Sequence, residues 1–144
     1  GNYHESLHWL NIILNSPEFK TRSDLYSFAA ILNLIVHLEL KNYDHLDYII
    51  KSTYLRLYKE NHLFKIEKMI LNFLKKIKSI SDKTMLTNEL KMFREELLNV
   101  STDSFEQKAF EYFDFISWLD SKIENKSFTA IVSEKYSVLM NGSR

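Results

Sequence analysis

The stretch from Leu25 to Leu40, LYSFAAILNLIVHLEL, carries apolar residues on nearly every side of a helix. A helix that is apolar all round must be covered all round, so other segments of the chain have to wrap it. The rest of the chain is suited to that task. Of its 144 residues 45% are hydrophobic and 14% aromatic, enough to bury a substantial core. Two glycines and one proline, with Gly1 and Gly142 near the ends, leave almost none of the punctuation that hairpins, bulges and phosphate-cradling loops require. The composition predicts an all-α fold.

Charge and cysteine content narrow the function classes. Nineteen Lys plus Arg balance nineteen Asp plus Glu, so no global field draws the chain to nucleic acid or to an anionic membrane. The absence of cysteine removes disulfides, thiolate nucleophiles and cysteine-based zinc sites. Asn33, His37 and Glu39 interrupt the best apolar run, which falls short of the roughly 18 residues that span a bilayer. No secretory signal pattern opens the chain, and a start at Gly-Asn-Tyr reads as a piece of a longer protein; a cytoplasmic location is the expectation.

Taken in order, the apolar spacing predicts six or seven helices. The first runs from Tyr3 to Asn15 and stops at Ser16-Pro17. A polar linker from Glu18 to Arg22 leads to the central helix, with Ser23 as its N-cap. Lys41-Asn42-Tyr43 forms a tight connection into a helix that Asp44 caps and that continues to about Asn61. An amphipathic helix with a basic back then extends from Leu63 to Ile80. Ser81-Asp82 starts the next, which carries Leu86, Leu90, Phe93, Leu97 and Val100. A last long helix from Phe105 to Glu124 places Phe105, Ala109, Tyr112, Ile116, Leu119 and Ile123 on one stripe and leaves Phe115 and Trp118 on a second face. A closing helix begins after Ser127, before a frayed tail from Asn141.

Within this pattern, the segment Leu38 to Leu46 with its Tyr43-Asp44 pair resembles the turn of a tetratricopeptide repeat. Ile50 and Thr53 occupy the slots of that family's bulky and small residues, and Trp9, Ile12 and Pro17 match the end of a preceding repeat. Leu46 and Leu34 depart from the small residues the family prefers, and Trp9 lies further from Ile50 than the family period of about 34 residues. The stretches from Tyr43 to Lys76 and from Phe113 to Phe128 look like the C-terminal parts of bacterial tetratricopeptide-like proteins of uncharacterised function. The resemblance implies an antiparallel helical-hairpin array, an α-α superhelix, that serves as a protein-binding scaffold, with no catalytic residue to carry over. Residues 1–144 are then expected to form one helical-repeat domain, with 3–61 repeat-like and 62–140 supplying packing and capping helices.

Four sets of residues are candidate sites. Tyr26, Asn33 and His37 share one face of the central helix, either as hydrogen-bonded core groups or as the lining of a peptide groove. Phe115 and Trp118 need a cover, supplied by the closing helix or by a partner or second copy of the chain. Lys65, Lys68, Lys75, Lys76 and Lys78 form a basic face, read first as solvated surface and then as a site for an acidic protein or for nucleic acid; no arginine cluster, glycine or stacking-aromatic arrangement accompanies them. His4, Glu5 and His8 satisfy H-E-x-x-H, which on a helix sets two imidazoles one turn apart beside a potential general base, but no third zinc ligand follows in sequence. No glycine-flanked serine or strand-turn-helix elbow supports nucleophilic catalysis. The sequence therefore favours a non-catalytic protein-interaction module without cofactor or membrane segment. A nucleic-acid-contacting regulatory module ranks second and a zinc hydrolase last.

Overall fold

A computed structural model describes residues 2–59, 65–103 and 107–142. Asn61, Leu63 and Phe105, at which helix boundaries are expected, lie outside the described residues. Among the described residues there are nine α-helices and no strand. They are α1 (Tyr3–Asn15), α2 (Pro17–Lys20), α3 (Ser23–Glu39), α4 (Tyr43–Lys59), α5 (Lys65–Ile77), α6 (Lys83–Ser101), α7 (Gln107–Tyr112), α8 (Phe115–Ile123) and α9 (Phe128–Gly142). The chain divides into two compact units, Gly1–Ser79 and Ile80–Arg144.

The count exceeds the expected six or seven for two local reasons. Pro17 stands at the first position of a helix, where its missing N–H costs nothing, and converts the expected linker into the single turn α2. The long helix expected up to Glu124 is broken at Phe113-Asp114, because the Asp114 carboxylate turns back to accept the Ser117 N–H at 2.8 Å and so starts α8 afresh. Helix starts shift slightly elsewhere: Arg22 rather than Ser23 precedes the first turn of α3, and α9 continues through Asn141 to Gly142.

In the first unit α3 is wrapped as its composition requires. Among its described side chains Asp24 alone is exposed. Leu7, Leu10 and Leu14 of α1 share a cluster with Ala29, Leu32, Val36 and Leu40. Helices α4 and α5 pack on α3 and on each other. They bury Leu46, Ile50, Thr53 and Leu57 from α4, and Ile66, Ile70, Phe73 and Ile77 from α5, each set at alternating four- and three-residue steps. The link between α3 and α4 is a Schellman turn: Lys41 adopts a left-handed φ of 58°, its N–H donates to Leu38 O, and Asn42 N–H donates to His37 O. A lysine in that conformation costs about 1 kcal/mol relative to glycine, in a chain that has almost no glycine to place there.

The second unit is built on α8, which packs against α6 and α9. Phe115 and every residue from Ser117 to Ser121 are buried. Helix α6 contributes Leu90, Phe93, Leu97 and Val100, and α9 contributes Ile131. The ring of Phe113 meets Phe115 edge-on at 4.9 Å and stacks on Phe128 at 5.6 Å. One charge lies inside this packing. Asp120 accepts from Arg94 Nε of α6 at 2.5 Å and from Lys135 Nζ of α9 at 2.8 Å, and Lys135 also donates to Ser117 Oγ. Burial pushes the Asp120 carboxyl up, but the hydrogen bonds from Arg94 and Lys135 outweigh it and hold the group below its ordinary value.

Asp120 ionised is therefore a stabilising group above the unfolded aspartate pKa of about 3.9, and its contribution disappears as pH falls through the lowered folded value. Asp120→Asn should destabilise the second unit by about 2 kcal/mol at neutral pH, because two cations lose the charge that satisfies them. Denaturant unfolding followed by Trp118 fluorescence in a Trp9→Phe background measures it, and the variant should also lose part of the acid dependence.

Candidate functional site

The four-three spacing that buries α4 and α5 in the first unit also sets the stripe beside each buried row. On α4 the residues one position after Leu46, Ile50 and Thr53 are Asp47, Lys51 and Tyr54. On α5 the corresponding edge carries Lys68, Asn72 and Lys75. These two edges border a groove of about 550 Å³ with Ile50 and Leu71 at its floor. The aliphatic stems of the lysines and the Tyr54 ring add apolar wall, while the ammonium groups reach water at the rim.

The charges of the groove are unequal. Asp47 forms an ion pair with Lys78 of the same unit, so its carboxylate is already answered. Lys51, Lys68 and Lys75 form no ion pair among the described residues. Tyr54 stacks nearly parallel on Tyr58, with ring centroids 6.3 Å apart. This arrangement can hold an apolar group flanked by anionic ones. It offers neither a nucleophile with an adjacent base nor a pair of carboxylates set for acid-base work.

The sequence-derived candidates are redistributed. Of the basic face, Lys68 and Lys75 line the groove, Lys78 is spent on Asp47, and Lys65 and Lys76 lie outside the lining with interactions of their own. Lys51, Tyr54 and Asn72 were missed. The first two lie in a different helix from the lysine run, and only the pairing of α4 with α5 brings an aromatic ring to the lysines. The regular offset of Lys51 and Tyr54 from the buried row of α4 was the available signal.

Tyr26 and Asn33 are buried core residues of α3. The guanidinium of Arg56 lies 4.3 Å from the Tyr26 ring centroid, a cation–π contact that ties α4 to α3. The buried Asn33 Oδ1 has no hydrogen-bond partner among the described residues. Phe115 and Trp118 are 1% and 5% exposed, so they form no surface patch; the break before α8 rotates them inward. In the second unit exposed apolar residues lie instead on α9, where Val132, Tyr136 and Leu139 follow helical spacing.

His37 is half-buried beside the α3–α4 turn. Asn42 Nδ2 lies 3.2 Å from its Nδ1, and its ring meets that of His45 at 5.4 Å. Burial, and then the neighbouring His45, lower its pKa. His4, Glu5 and His8 are all exposed on α1. Glu5 accepts from Asn2 Nδ2 while Asn2 Oδ1 accepts the Glu5 N–H, a reciprocal cap at the helix start. Among the described residues no group of three or more His, Asp or Glu is placed to hold a metal. No helix among them is long and apolar enough to cross a membrane.

Comparison of the chain with protein-family models, with curated proteins and with solved structures finds no match.

Two measurements test these placements. Asn33→Leu should raise stability by about 1 kcal/mol or more, because it removes a buried acceptor that nothing satisfies; thermal melting followed by circular dichroism reads it. His37 favours folding in its neutral form, so stability should fall as pH drops below its unfolded pKa of about 6.5 and should keep falling until the lowered folded value is reached. Melting midpoints taken from about pH 7.5 to about pH 5.5 should therefore decline less steeply in His37→Gln than in the parent chain.

Proposed function

We propose that this chain is a non-catalytic protein-interaction module, with helices stacked as tetratricopeptide-like hairpins, and that its partner seats in the groove between α4 and α5. The observation that carries the reading is the combination of an apolar floor, Ile50 and Leu71, with three lysines that have no ion-pair partner among the described residues. The α3–α4 pair supports the scaffold part. Its three-residue connection ends α3 in a Schellman turn and lets the two helices pack on each other, which is what one hairpin of such an array needs.

A second reading draws on Tyr54. A tyrosine beside three lysines is also the beginning of a platform for single-stranded nucleic acid, on which bases stack while cations track the backbone. It ranks lower because the chain has zero formal charge and the groove contains neither arginine nor glycine.

Asn72 is exposed at the groove, so Asn72→Trp fills the groove at little cost to the fold. A display library of helix-forming peptides selected against the parent chain should yield binders that lose affinity for Asn72→Trp, while the melting midpoint stays within about 2 °C. Binders that ignore the tryptophan, or a selection that enriches nothing, would count against the groove.

A further inference from the structure

We propose that the occupant of the α4/α5 groove is an acidic amphipathic helix of a partner protein, which lays about two turns into it with carboxylates along both flanks. This inference rests on the groove reading above and adds the chemistry of the partner.

Length comes first. Asp47 to Tyr54 on one wall and Lys68 to Lys75 on the other each cover about two helical turns, or about 10 Å of axis. A volume of about 550 Å³ receives a few side chains rather than a whole chain segment. An amphipathic helix meets that demand, because its apolar residues recur on one face every three or four positions while its backbone hydrogen bonds stay satisfied inside the helix.

Charge then selects among amphipathic helices. Lys68 and Lys75 stand two turns apart on the α5 rim, and Lys51 faces them from the α4 rim. None of the three is ion-paired within the described chain, and the Asp47 carboxylate of the same groove is taken by Lys78, so all three are available to anions from outside. Asp47, one turn before Lys51 on the α4 rim, is neutralised by Lys78 and attracts no second cation strongly. The pattern is therefore lopsided. The flank of the partner helix against α5 should carry carboxylates spaced two turns apart, and the flank against α4 a single carboxylate at Lys51, midway between the positions facing Asp47 and Tyr54.

Other anions fit less well. A phosphate bound tightly would want a planar guanidinium fork or converging backbone N–H groups, and the lining supplies point charges on flexible stems over Ile50 and Leu71. A nucleic acid would use the cations but leave the apolar floor idle.

The test uses the full chain and three synthetic helical peptides with the same leucine stripe, flanked by Glu, by Gln or by Lys. Binding is read by fluorescence anisotropy and located by amide chemical shifts of isotope-labelled protein. The Glu peptide should bind and shift Lys51, Tyr54 and Asn72, the Gln peptide should bind about tenfold more weakly, and the Lys peptide should be weaker still. Lys68→Glu combined with Lys75→Glu, both at exposed positions, should invert the order of the Glu and Lys peptides without shifting the melting midpoint appreciably. If Asn72→Trp abolishes binding but the Gln or Lys peptide binds as tightly as the Glu peptide, the groove survives and the acidic partner is refuted. An oligothymidine that displaces the Glu peptide and shifts the same residues more strongly would refute it in favour of nucleic acid. If no peptide perturbs the groove and Asn72→Trp changes nothing, the groove reading falls together with the inference.

Discussion

The burial of α3 on every side is the constraint on which the first unit depends. Its run of apolar side chains could not face water without losing about 25 cal/mol for each Å² left exposed, so α1, α2, α4 and α5 are all committed to covering it. The commitment has costs. Ser27 and Asn33 are carried into the core with side-chain oxygens that find no partner among the described residues. Among the described side chains of α3 only Asp24 is exposed, so most of that helix is spent on the core. The groove lies at the outer edges of α4 and α5, two of the helices that do the covering.

The second unit answers the same problem with shorter elements. A nine-residue helix such as α8 is too short to persist by its own hydrogen bonds and exists because it is capped by Asp114 and packed by α6 and α9. At its centre stands Asp120, 12% exposed, bridged to one cation from each flanking helix. A buried charge of this kind adds little net stability over an apolar replacement of equal volume. Its effect is geometric: Arg94 and Lys135 can both reach Asp120 only when α6 and α9 sit in one register against α8, so mispaired arrangements leave a charge unanswered.

What the sequence disclosed and what it concealed follow from the range of the interactions. The all-helical class, the wrapped α3 and the starts of α6 and α9 at Asp82 and Ser127 were legible, because spacing and caps are local. The break at Phe113-Asp114 was not. The apolar period runs on through it if Phe105 to Ile123 is read as one helix, and nothing in the pattern announces that Asp114 will cap rather than point to solvent. Read as one helix, the segment leaves Phe115 and Trp118 on a second face that needs a cover, whereas both are core residues of α8. For Asn33 and Tyr26 the sequence left a core role and a groove role both open for a related reason: polarity on a face signals a site only if that face is open, and openness is decided by neighbours distant in sequence. The groove was half visible, since the lysines of α5 were noticed and their apolar and aromatic counterparts on α4 were not.

On the proposed reading, the distribution of charge would let a neutral chain discriminate between partners. Zero formal charge hides a local imbalance. Along the basic face Lys78 is cancelled by Asp47 and Lys65 and Lys76 are otherwise engaged, so the uncancelled charge is gathered at Lys68 and Lys75 and joined by Lys51. Each exposed ion pair these could form is worth only about 0.2–1 kcal/mol, too little to hold a partner by itself. On the proposed reading the apolar seat would supply the affinity and the lysines would decide which apolar helix is accepted, since a basic one would meet three repulsions. Attraction and selection would thus come from different residues of the same two helices, the first set by the buried rows that build the fold and the second by the exposed stripes beside them.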